Sequence, residues 1–354
     1  VHHSRLSDIH KHKDLQRSLS EYLCLQKYTY NAIFVNKEIS MTQNEIFAQR
    51  LKNARVMKGF SMDELVAAMG NKLSKMSISK YEKCQLQPNS SVLISLSKAL
   101  EQPVDYFFRP FTMQIESIKF RKQKSKLATK QENSIKENIS DLVERYITIE
   151  EICNASVKFS SPFKNTVNSS EQVKKAALAL RELWNIGTDG IVNVIDLLEE
   201  HGIKVMEIDA PASFDGLSSL VNDIYPVVVL NKNFNSERKR FTALHELGHI
   251  ILNFDSSVSE NEEETFCNIF ANEMLILESV FKHLFGEHRH DISYQELRAI
   301  QMQYGISCDS LMYKAKAYGI ISEQRYKTYC IQKNKNLSFK TMVEQSIVLK
   351  ERFL

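Results

Sequence analysis

Residues 240–251 (RFTALHELGHII) place two histidines four positions apart, in a segment whose apolar residues recur at helical spacing. Because side chains four residues apart lie on one face of a helix, His245 and His249 point at a common spot. Glu246 projects beside that spot. Gly248 is a poor helix former, about 1 kcal/mol less favourable than Ala, which indicates that something approaches the helix closely at this position. The H-E-x-x-H spacing therefore predicts a helix that carries part of a metal site.

A catalytic zinc ion needs three protein ligands and one open position for water, so a third ligand must come from elsewhere. Residues 259–276 begin with a run of acids and continue as a helix with one apolar face. Glu264 lies three and seven residues before Cys267 and Ala271 and extends this face, whereas Glu263 has an intermediate position. Acidic residues also favour a helix N-terminus for electrostatic reasons alone, which accounts for most of the run. The residues themselves leave the third ligand open.

The segment from residue 43 to residue 108 reads as about five short helices separated by polar turns. The first helix ends at Gly59. Ser61 and Glu64 then have the spacing of a capping box, which predicts the start of a second helix. Ser74 is a residue type that is favoured at the N-cap, and it predicts the start of a third helix. Two short helices joined by a glycine-containing turn are typical of a helix-turn-helix motif.

The stretches LKNARVMKGFSMDELVAAMG, SISKYEK and LISLSKALEQPVDYFF resemble, in this order, the XRE/Cro-type helix-turn-helix domain of phage-like repressors. The resemblance covers residues 43–108 and implies an all-α domain that places the second helix of its motif in the major groove of double-stranded operator DNA. Carried over position by position, the residues implied to face DNA are Ser74, Lys75, Met76, Ser77 and Lys80. The residues implied to lie in the core are Leu65, Ile78 and Tyr81.

Three features depart from this family. The turn after Gly70 is about two residues longer than usual for the motif, and Cys84 stands where a glycine normally ends the recognition helix. Met76 takes a place often held by glutamine. Because a thioether cannot make a bidentate contact with a base, we expect sequence preference to be weak or to come from neighbouring residues. The alternative is a small helical domain that binds proteins instead of DNA.

The stretches RFTALHELGHIIL and ETFCNIFANEML resemble the ImmA/IrrE-family zinc metallopeptidases, as do AALALRELWNIGTDGIVNVIDLLEEHGIKV and the FDGLSSL–YPVVVLN hairpin upstream. The resemblance covers roughly residues 170–330 and implies an α+β zincin-like domain with a short β-sheet. The residues that it implies are His245, His249 and Glu264 as ligands of Zn²⁺ and Glu246 as the catalytic base. The loop between His249 and Glu264 is short, so Glu263 stays open as a ligand. Cys267 replaces the usual alanine.

Members of the ImmA/IrrE family act on DNA-bound repressors and so release the repressed genes, which often belong to phages or integrative elements. The resemblance therefore implies a DNA-binding zinc metalloendopeptidase that regulates transcription by site-specific cleavage of a repressor or another protein substrate, in a stress or mobile-element response. The alternative is a helix-turn-helix transcriptional regulator whose peptidase-like domain senses metal or binds a partner without proteolysis. Repressor-like domains often pair on palindromes, so a homodimer is a further expectation.

Composition and charge favour a cytoplasmic protein without a membrane partner. No apolar run approaches the roughly 20 residues that span a bilayer, and the first residues lack the apolar core of a signal peptide. The six cysteines are scattered without a C-x-x-C pair, which favours reduced thiols. Residues 1–170 hold 26 Lys and Arg against 17 Asp and Glu, and residues 171–354 hold 20 against 26. We expect the basic half to meet a polyanion; unevenly charged solvated surfaces are the alternative.

These patterns predict a chain that is mainly α with a small β component. The predicted parts are a disordered N-terminal extension (1–41), the XRE-type helix-turn-helix domain (42–110), a strand and helix connector (111–170), the metallopeptidase domain (171–335) and a C-terminal tail (336–354). Within the connector, residues 115–125 read as a short strand that runs into a basic stretch, which either contacts phosphates or is solvated surface. Residues 136–154 read as the connecting helix.

Overall fold

The computed structural model describes residues 41–113, 115, 118–120 and 129–346, with residues 118–120 described by their backbone alone. The chain divides into two compact units. Of the described residues, the first unit contains 41–113, 115 and 129–156, and the second contains 118–120 and 157–346. The predicted disordered extension, apart from Met41, and the basic stretch beyond residue 120 lie outside the described residues.

The first unit is helical throughout its described part. Its elements are α1 (Gln43–Met57), α2 (Met62–Ala68), α3 (Lys75–Glu82), α4 (Ser90–Leu100), a 3₁₀ helix (Val104–Phe108) and α5 (Thr129–Cys153). Capping boxes begin α1 and α2: the Ser61 hydroxyl accepts from the backbone N–H of Glu64, whose carboxylate accepts from the Ser61 N–H. Ser74 caps α3 by accepting from the N–H of Ser77. The predicted N-terminal caps of α2 and α3 are confirmed.

A single apolar core holds the short helices of this unit together. The predicted core residues Leu65, Ile78 and Tyr81 are all buried in it, which confirms that part of the prediction. The other buried members are Phe47, Leu51, Ala54, Met69, Leu96, Leu100, Tyr106 and Phe107. Phe107 belongs to the 3₁₀ helix at the end of the predicted segment, so both ends of the segment contribute residues to the same core. Packing of this kind stabilises helices too short to be stable alone.

The long helix α5 packs against α1 and begins seven residues earlier than the predicted connecting helix. A buried charge cluster joins the two helices. The Arg50 guanidinium of α1 binds both carboxylate oxygens of Glu144 of α5, each at 2.8 Å, and also donates to the carbonyls of Arg109 and Pro110, each at 3.0 Å. The ring of Phe111 covers the guanidinium at 3.7 Å. Helix α5 is therefore an integral part of the helix-turn-helix unit.

The second unit packs helices on a small mixed sheet. Its helices are α6 (Ser170–Leu183), α7 (Val194–Glu200), α8 (Ser236–Ile251), α9 (Glu260–Leu275), α10 (Glu278–Phe285), α11 (Tyr294–Tyr304), α12 (Cys308–Ala317), α13 (Glu323–Lys335) and α14 (Leu337–Glu344). Its strands are β1 (Ile118–Phe120), β2 (Thr166–Val167), β3 (Lys204–Ile208), β4 (Gly216–Val221), β5 (Tyr225–Asn231) and β6 (Asn253–Phe254).

Among the described strands, four form a sheet in the order β1-β4-β5-β3, and β2 pairs with β6 separately. Strands β4 and β5 form the predicted antiparallel hairpin, with Val221 opposite Tyr225. Strand β3 runs parallel to β5, whose residues 227–230 are fully buried. Such a continuous apolar run is typical of a strand covered on both faces. Helix α8 packs on β4 and β5, and α9 packs on α8 and α6.

A buried lysine fixes the C-terminal end of α9. Lys314 of α12 donates through Nζ to the carbonyls of Asn272 and Ile276, at 3.1 and 3.2 Å. The last carbonyls of a helix have no partner within the helix and carry partial negative charge, so a cation there is favourable. Burial lowers the pKa of Lys314 to about 8. The contact anchors the helix that bears Glu264.

The predicted domain boundaries stay predictions, but the described contacts show how two segments fold. Helix α5, within the predicted connector, lies in the first unit. Residues 337–344, within the predicted tail, form helix α14, which packs on α13 and buries Val343.

We expect Arg50→Met to destabilise the first unit by about 3–5 kcal/mol, because the substitution leaves the buried carboxylates of Glu144 and Asp141 without this cation. Chemical denaturation followed by circular dichroism measures the change. The matched control is Lys52→Met on the exposed side of the same helix, which should change stability by less than about 0.5 kcal/mol. Equal stability of the two variants would contradict a structural role for the Arg50 cluster.

Candidate metal centre and candidate DNA interface

Helix α8 presents the H-E-x-x-H residues from a buried position. Its N-cap is Asn235, whose side chain accepts from the backbone N–H of Arg238 at 3.0 Å. His245 and His249 are 8% and 7% exposed, and Glu246 is 2% exposed. The helix places both imidazoles on one face, with ring centroids 4.9 Å apart. Three polar side chains therefore share one small buried region, which is costly unless they are compensated.

Gly248 allows α9 to approach α8 closely. A Cβ atom at this position would lie 3.2 Å from the sulfur of Cys267 and 3.3 Å from the ring of Phe270. Such distances are shorter than an ordinary carbon contact, about 3.5–4.0 Å. The glycine at this helix position is thus explained, and the predicted close approach is confirmed. The sulfur of Cys267, which stands for the usual alanine, is the nearest atom of α9.

The close approach brings Glu264 to the two histidines. Its two carboxylate oxygens each lie 3.3 Å from one Nε2 atom, of His245 and of His249. The two Nε2 atoms are 3.2 Å apart. Among the described residues, this is the group whose metal-binding atoms all lie within 4.8 Å of one another, and Glu263 does not belong to it.

These three side chains fit a zinc ion. Ligand atoms at about 2.0–2.1 Å from a tetrahedral zinc lie about 3.3 Å from each other, and the observed separations are 3.2 and 3.3 Å. Two imidazole nitrogens that face each other repel unless a proton or a cation lies between them. Nitrogen and carboxylate donors together are a set that zinc binds well.

The charges in the site favour a bound cation. Hydrogen bonds with His245 and His249 hold the pKa of Glu264 well below its usual range, so its carboxylate is charged at neutral pH. Burial alone favours neutral His245, but the hydrogen bond with Glu264 and the charge of Glu246 outweigh it and raise the pKa of His245. The carboxylates thus attract positive charge to the imidazoles.

Glu246 lies beside this group and differs from Glu264 in its surroundings. Burial raises the pKa of Glu246, although the charges of His245 and His249 oppose the rise. The side-chain hydroxyl of Ser218, on β4, also opposes the rise. A buried carboxylate with a raised pKa is suited to accept and return protons near neutral pH.

Strand β4 reaches the site because of a second glycine. A Cβ atom on Gly216 would lie 2.6 Å from the side chain of Thr242 and 2.8 Å from the carbonyl of Val229. Thr242 is one helical turn before Glu246, and Ser218 is two residues beyond Gly216 on the strand. The absence of a side chain at Gly216 therefore lets β4 run directly against the helix that carries the histidines.

One residue of the site was missed by reasoning from the sequence. The Nδ1 atom of His245 lies 3.0 Å from the side-chain oxygen of Asn268. Asn268 follows Glu264 by four residues on α9, so both side chains share a face of the helix. This spacing is the signal that could have indicated it.

The residues predicted to face DNA are the N-cap of α3 and four residues along that helix. Lys75, Met76 and Lys80 are exposed, and 68% of Met76 is accessible. The hydroxyls of Ser74 and Ser77 lie 3.0 Å apart, and Ser74 also caps the helix. Lys75 forms an exposed ion pair with Asp63 of α2, a contact that contributes little in water and can be exchanged for a phosphate. The assignment of these residues to DNA stays a prediction.

Two of the departures from the repressor pattern have a backbone explanation. Cys84 adopts a left-handed conformation with φ of 59°, the conformation that a glycine at this place adopts more readily. After α2, Gly70 and Asn71 are both left-handed, with φ of 70° and 57°. The longer turn thus uses one glycine and one asparagine, the residue types that best tolerate this region.

The described fold combines a five-helix unit containing a helix-turn-helix with an α+β unit of the peptidase-like class. Residues 51–107 match the family model described as Helix-turn-helix, and residues 198–316 match the model of a peptidase family described as IrrE N-terminal-like domain. The chain is therefore a fusion of these two domain types, and the predicted resemblances and mainly α fold class are confirmed. No curated protein matches the chain. None of the described helices has the length and hydrophobicity needed to cross a membrane.

We expect the purified full chain to contain about one zinc ion per chain. Glu264→Ala should lower the zinc affinity by more than about 100-fold, because loss of a residue that only hydrogen-bonds a ligand already lowers it by roughly 10- to 100-fold. Elemental mass spectrometry and competition with a chelator measure both quantities. Glu263→Ala is the matched control, since the neighbouring carboxylate lies outside the donor group. Weak binding by Glu263→Ala with full binding by Glu264→Ala would reverse the assignment.

Proposed function

We propose that the chain is a DNA-binding zinc metalloendopeptidase that regulates transcription by cleaving a repressor protein in a stress or mobile-element response. The observation that carries the proposal is the convergence of His245, His249 and Glu264 beside the buried Glu246. A helix-turn-helix unit in the same chain supports a role at operators. We propose the first unit for DNA binding and the second for peptide-bond hydrolysis, in the cytoplasm.

In this proposal, the three donor residues hold zinc, which polarises a peptide carbonyl and acidifies water when bound. Glu246 accepts the proton of the attacking water on its carboxylate and returns it to the nitrogen of the leaving amine. Burial favours the proton-accepting role of Glu246 because it raises the pKa of this carboxyl above its usual range. The helix fixes the carboxylate of Glu246 in a buried position.

The fusion gives the proposed activity a location. A peptidase unit tethered to a DNA-binding unit meets proteins bound near the same operator at a raised effective concentration. Operator-bound repressors are the substrate class that this arrangement favours. A weak sequence preference of α3, expected from Met76, is sufficient when the protein substrate supplies additional specificity.

We expect Glu246→Gln to abolish cleavage, with a loss of at least about 10²–10⁴-fold, and to retain zinc. The variant keeps the size of the side chain and one acceptor oxygen, but the neutral amide cannot take up the proton of the attacking water. New protein N-termini, identified by mass spectrometry in cells that express wild type or Glu246→Gln, measure cleavage of every cellular protein at once, so no single substrate has to be chosen. The control is Glu263→Gln, which should generate the same N-termini as wild type.

A different result distinguishes the alternative. If the same N-termini form in Glu246→Gln cells and transcription changes equally in both strains, then the second unit regulates by binding metal or a partner and not by proteolysis.

We expect the full chain to bind duplex DNA with an affinity that falls steeply as salt rises, because Lys75 and Lys80 release counterions from phosphates. The double variant Lys75→Ala/Lys80→Ala should bind all sequences more weakly, with a salt dependence reduced by about one unit of slope per lost contact. Fluorescence anisotropy over a range of salt concentrations measures this. Lys98→Ala, an exposed lysine on α4, is the control and should leave the slope unchanged. Binding that does not respond to salt would exclude phosphate contacts by α3.

A further inference from the structure

We propose that Asn268 is a positioning residue that fixes the tautomer and the ring orientation of His245, and that it thereby sets the zinc affinity of the site. This inference rests on the zinc site of the proposed function. It assigns no catalytic step to Asn268, which touches a ligand and not the reacting atoms.

The chemistry of the contact defines its direction. The side-chain oxygen of Asn268 lies 3.0 Å from Nδ1 of His245, while Nε2 of the same ring faces Glu264 at 3.3 Å. An amide oxygen can only accept a hydrogen bond, so Nδ1 must carry the hydrogen. In the neutral ring the lone pair then lies on Nε2, the atom that points at Glu264 and His249. The contact therefore selects the tautomer that a metal ion needs.

The position of Asn268 on α9 fixes its distance from His245. Asn268 lies one turn after Glu264 on α9, so a single helix supplies a metal ligand and the acceptor that orients another ligand. The Gly248 contact sets the distance between α9 and α8. The side chain of Asn268 is exposed enough to be hydrated. Its contact with His245 is thus not required to satisfy a buried amide, and its main effect is on the histidine.

Hydrogen bonds of this kind have a measurable effect on metal sites. An acceptor on the second ring nitrogen restricts rotation of the imidazole and raises the basicity of the ligating nitrogen, and its loss typically weakens metal binding by about 10- to 100-fold. Replacement by alanine leaves Nδ1 to water and frees the ring to adopt the other tautomer.

The first test measures zinc affinity of the full chain by competition with a chromophoric chelator. We expect Asn268→Ala to bind zinc about 10- to 100-fold more weakly than wild type. Asn268→Asp should retain or exceed wild-type affinity, because a carboxylate oxygen also accepts from Nδ1. The matched control is Asn261→Ala, an exposed asparagine two turns earlier on the same helix, which should bind zinc as wild type does. Wild-type affinity in Asn268→Ala, or equal weakening in the alanine and aspartate variants, would overturn the proposal.

The second test does not depend on zinc or on activity. Nitrogen-15 NMR of histidine side chains in the zinc-free protein, at alkaline pH where the imidazoles are neutral, reports the tautomer directly. These spectra are compared in a Glu264→Ala background, because the Glu264 carboxylate, 3.3 Å from Nε2 of His245, competes for the ring hydrogen. We expect His245 to carry its hydrogen on Nδ1 in Glu264→Ala and in Glu264→Ala/Asn268→Asp. We expect it to redistribute towards Nε2 in Glu264→Ala/Asn268→Ala, with His249 as the internal reference. An unchanged tautomer in Glu264→Ala/Asn268→Ala would reject the role of Asn268 even if wild type binds zinc. Failure of wild type to bind zinc, with the expected tautomer change, would reject the proposed function alone.

Discussion

The site depends on the distance between α8 and α9. Gly248 lets the two helices approach until the sulfur of Cys267 and the ring of Phe270 occupy the space that a side chain would fill. At this distance Glu264 reaches both Nε2 atoms and Asn268 reaches Nδ1 of His245. A larger residue at position 248 would separate the helices, and all of these contacts would lengthen together, because they join the same two helices.

In the first unit, the buried charge of Arg50 holds two helices together. Arg50 is buried, yet its guanidinium is satisfied by Glu144, by two backbone carbonyls and by the Phe111 ring. This is the arrangement in which a buried ion pair is tolerated, since each nitrogen of the guanidinium has a hydrogen-bond partner and the ring covers its face. The cluster attaches α5 to the helix-turn-helix and leaves α3 exposed on the surface of the unit.

The sequence allowed the local elements of both units to be predicted. Helical spacing and the Ser61–Glu64 capping box indicate α1 and α2, and the H-E-x-x-H spacing places two imidazoles on one face. These patterns depend on residues a few positions apart. The partners that complete the structure are distant: Arg50 and Glu144 are separated by 94 residues, and His245 and Asn268 by 23. Periodicity carries no information about such pairs, so the role of α5 in the first unit and the contact of Asn268 required the structure.

The resemblance of residues 259–276 to a peptidase family predicts Glu264 as the third metal ligand, whereas helical spacing alone does not decide between Glu264 and Glu263. The structure supplies the reason why the choice matters. The buried side chains of His245, His249 and Glu246 gather beside the partly exposed Glu264, and desolvation of the buried polar groups is costly. Packing of α8 against the sheet does not require these polar groups, since apolar residues of similar volume would fill the same space. A bound cation would offset the cost by neutralising the carboxylates and by occupying the lone pairs of both nitrogens, which supports the proposed metal site.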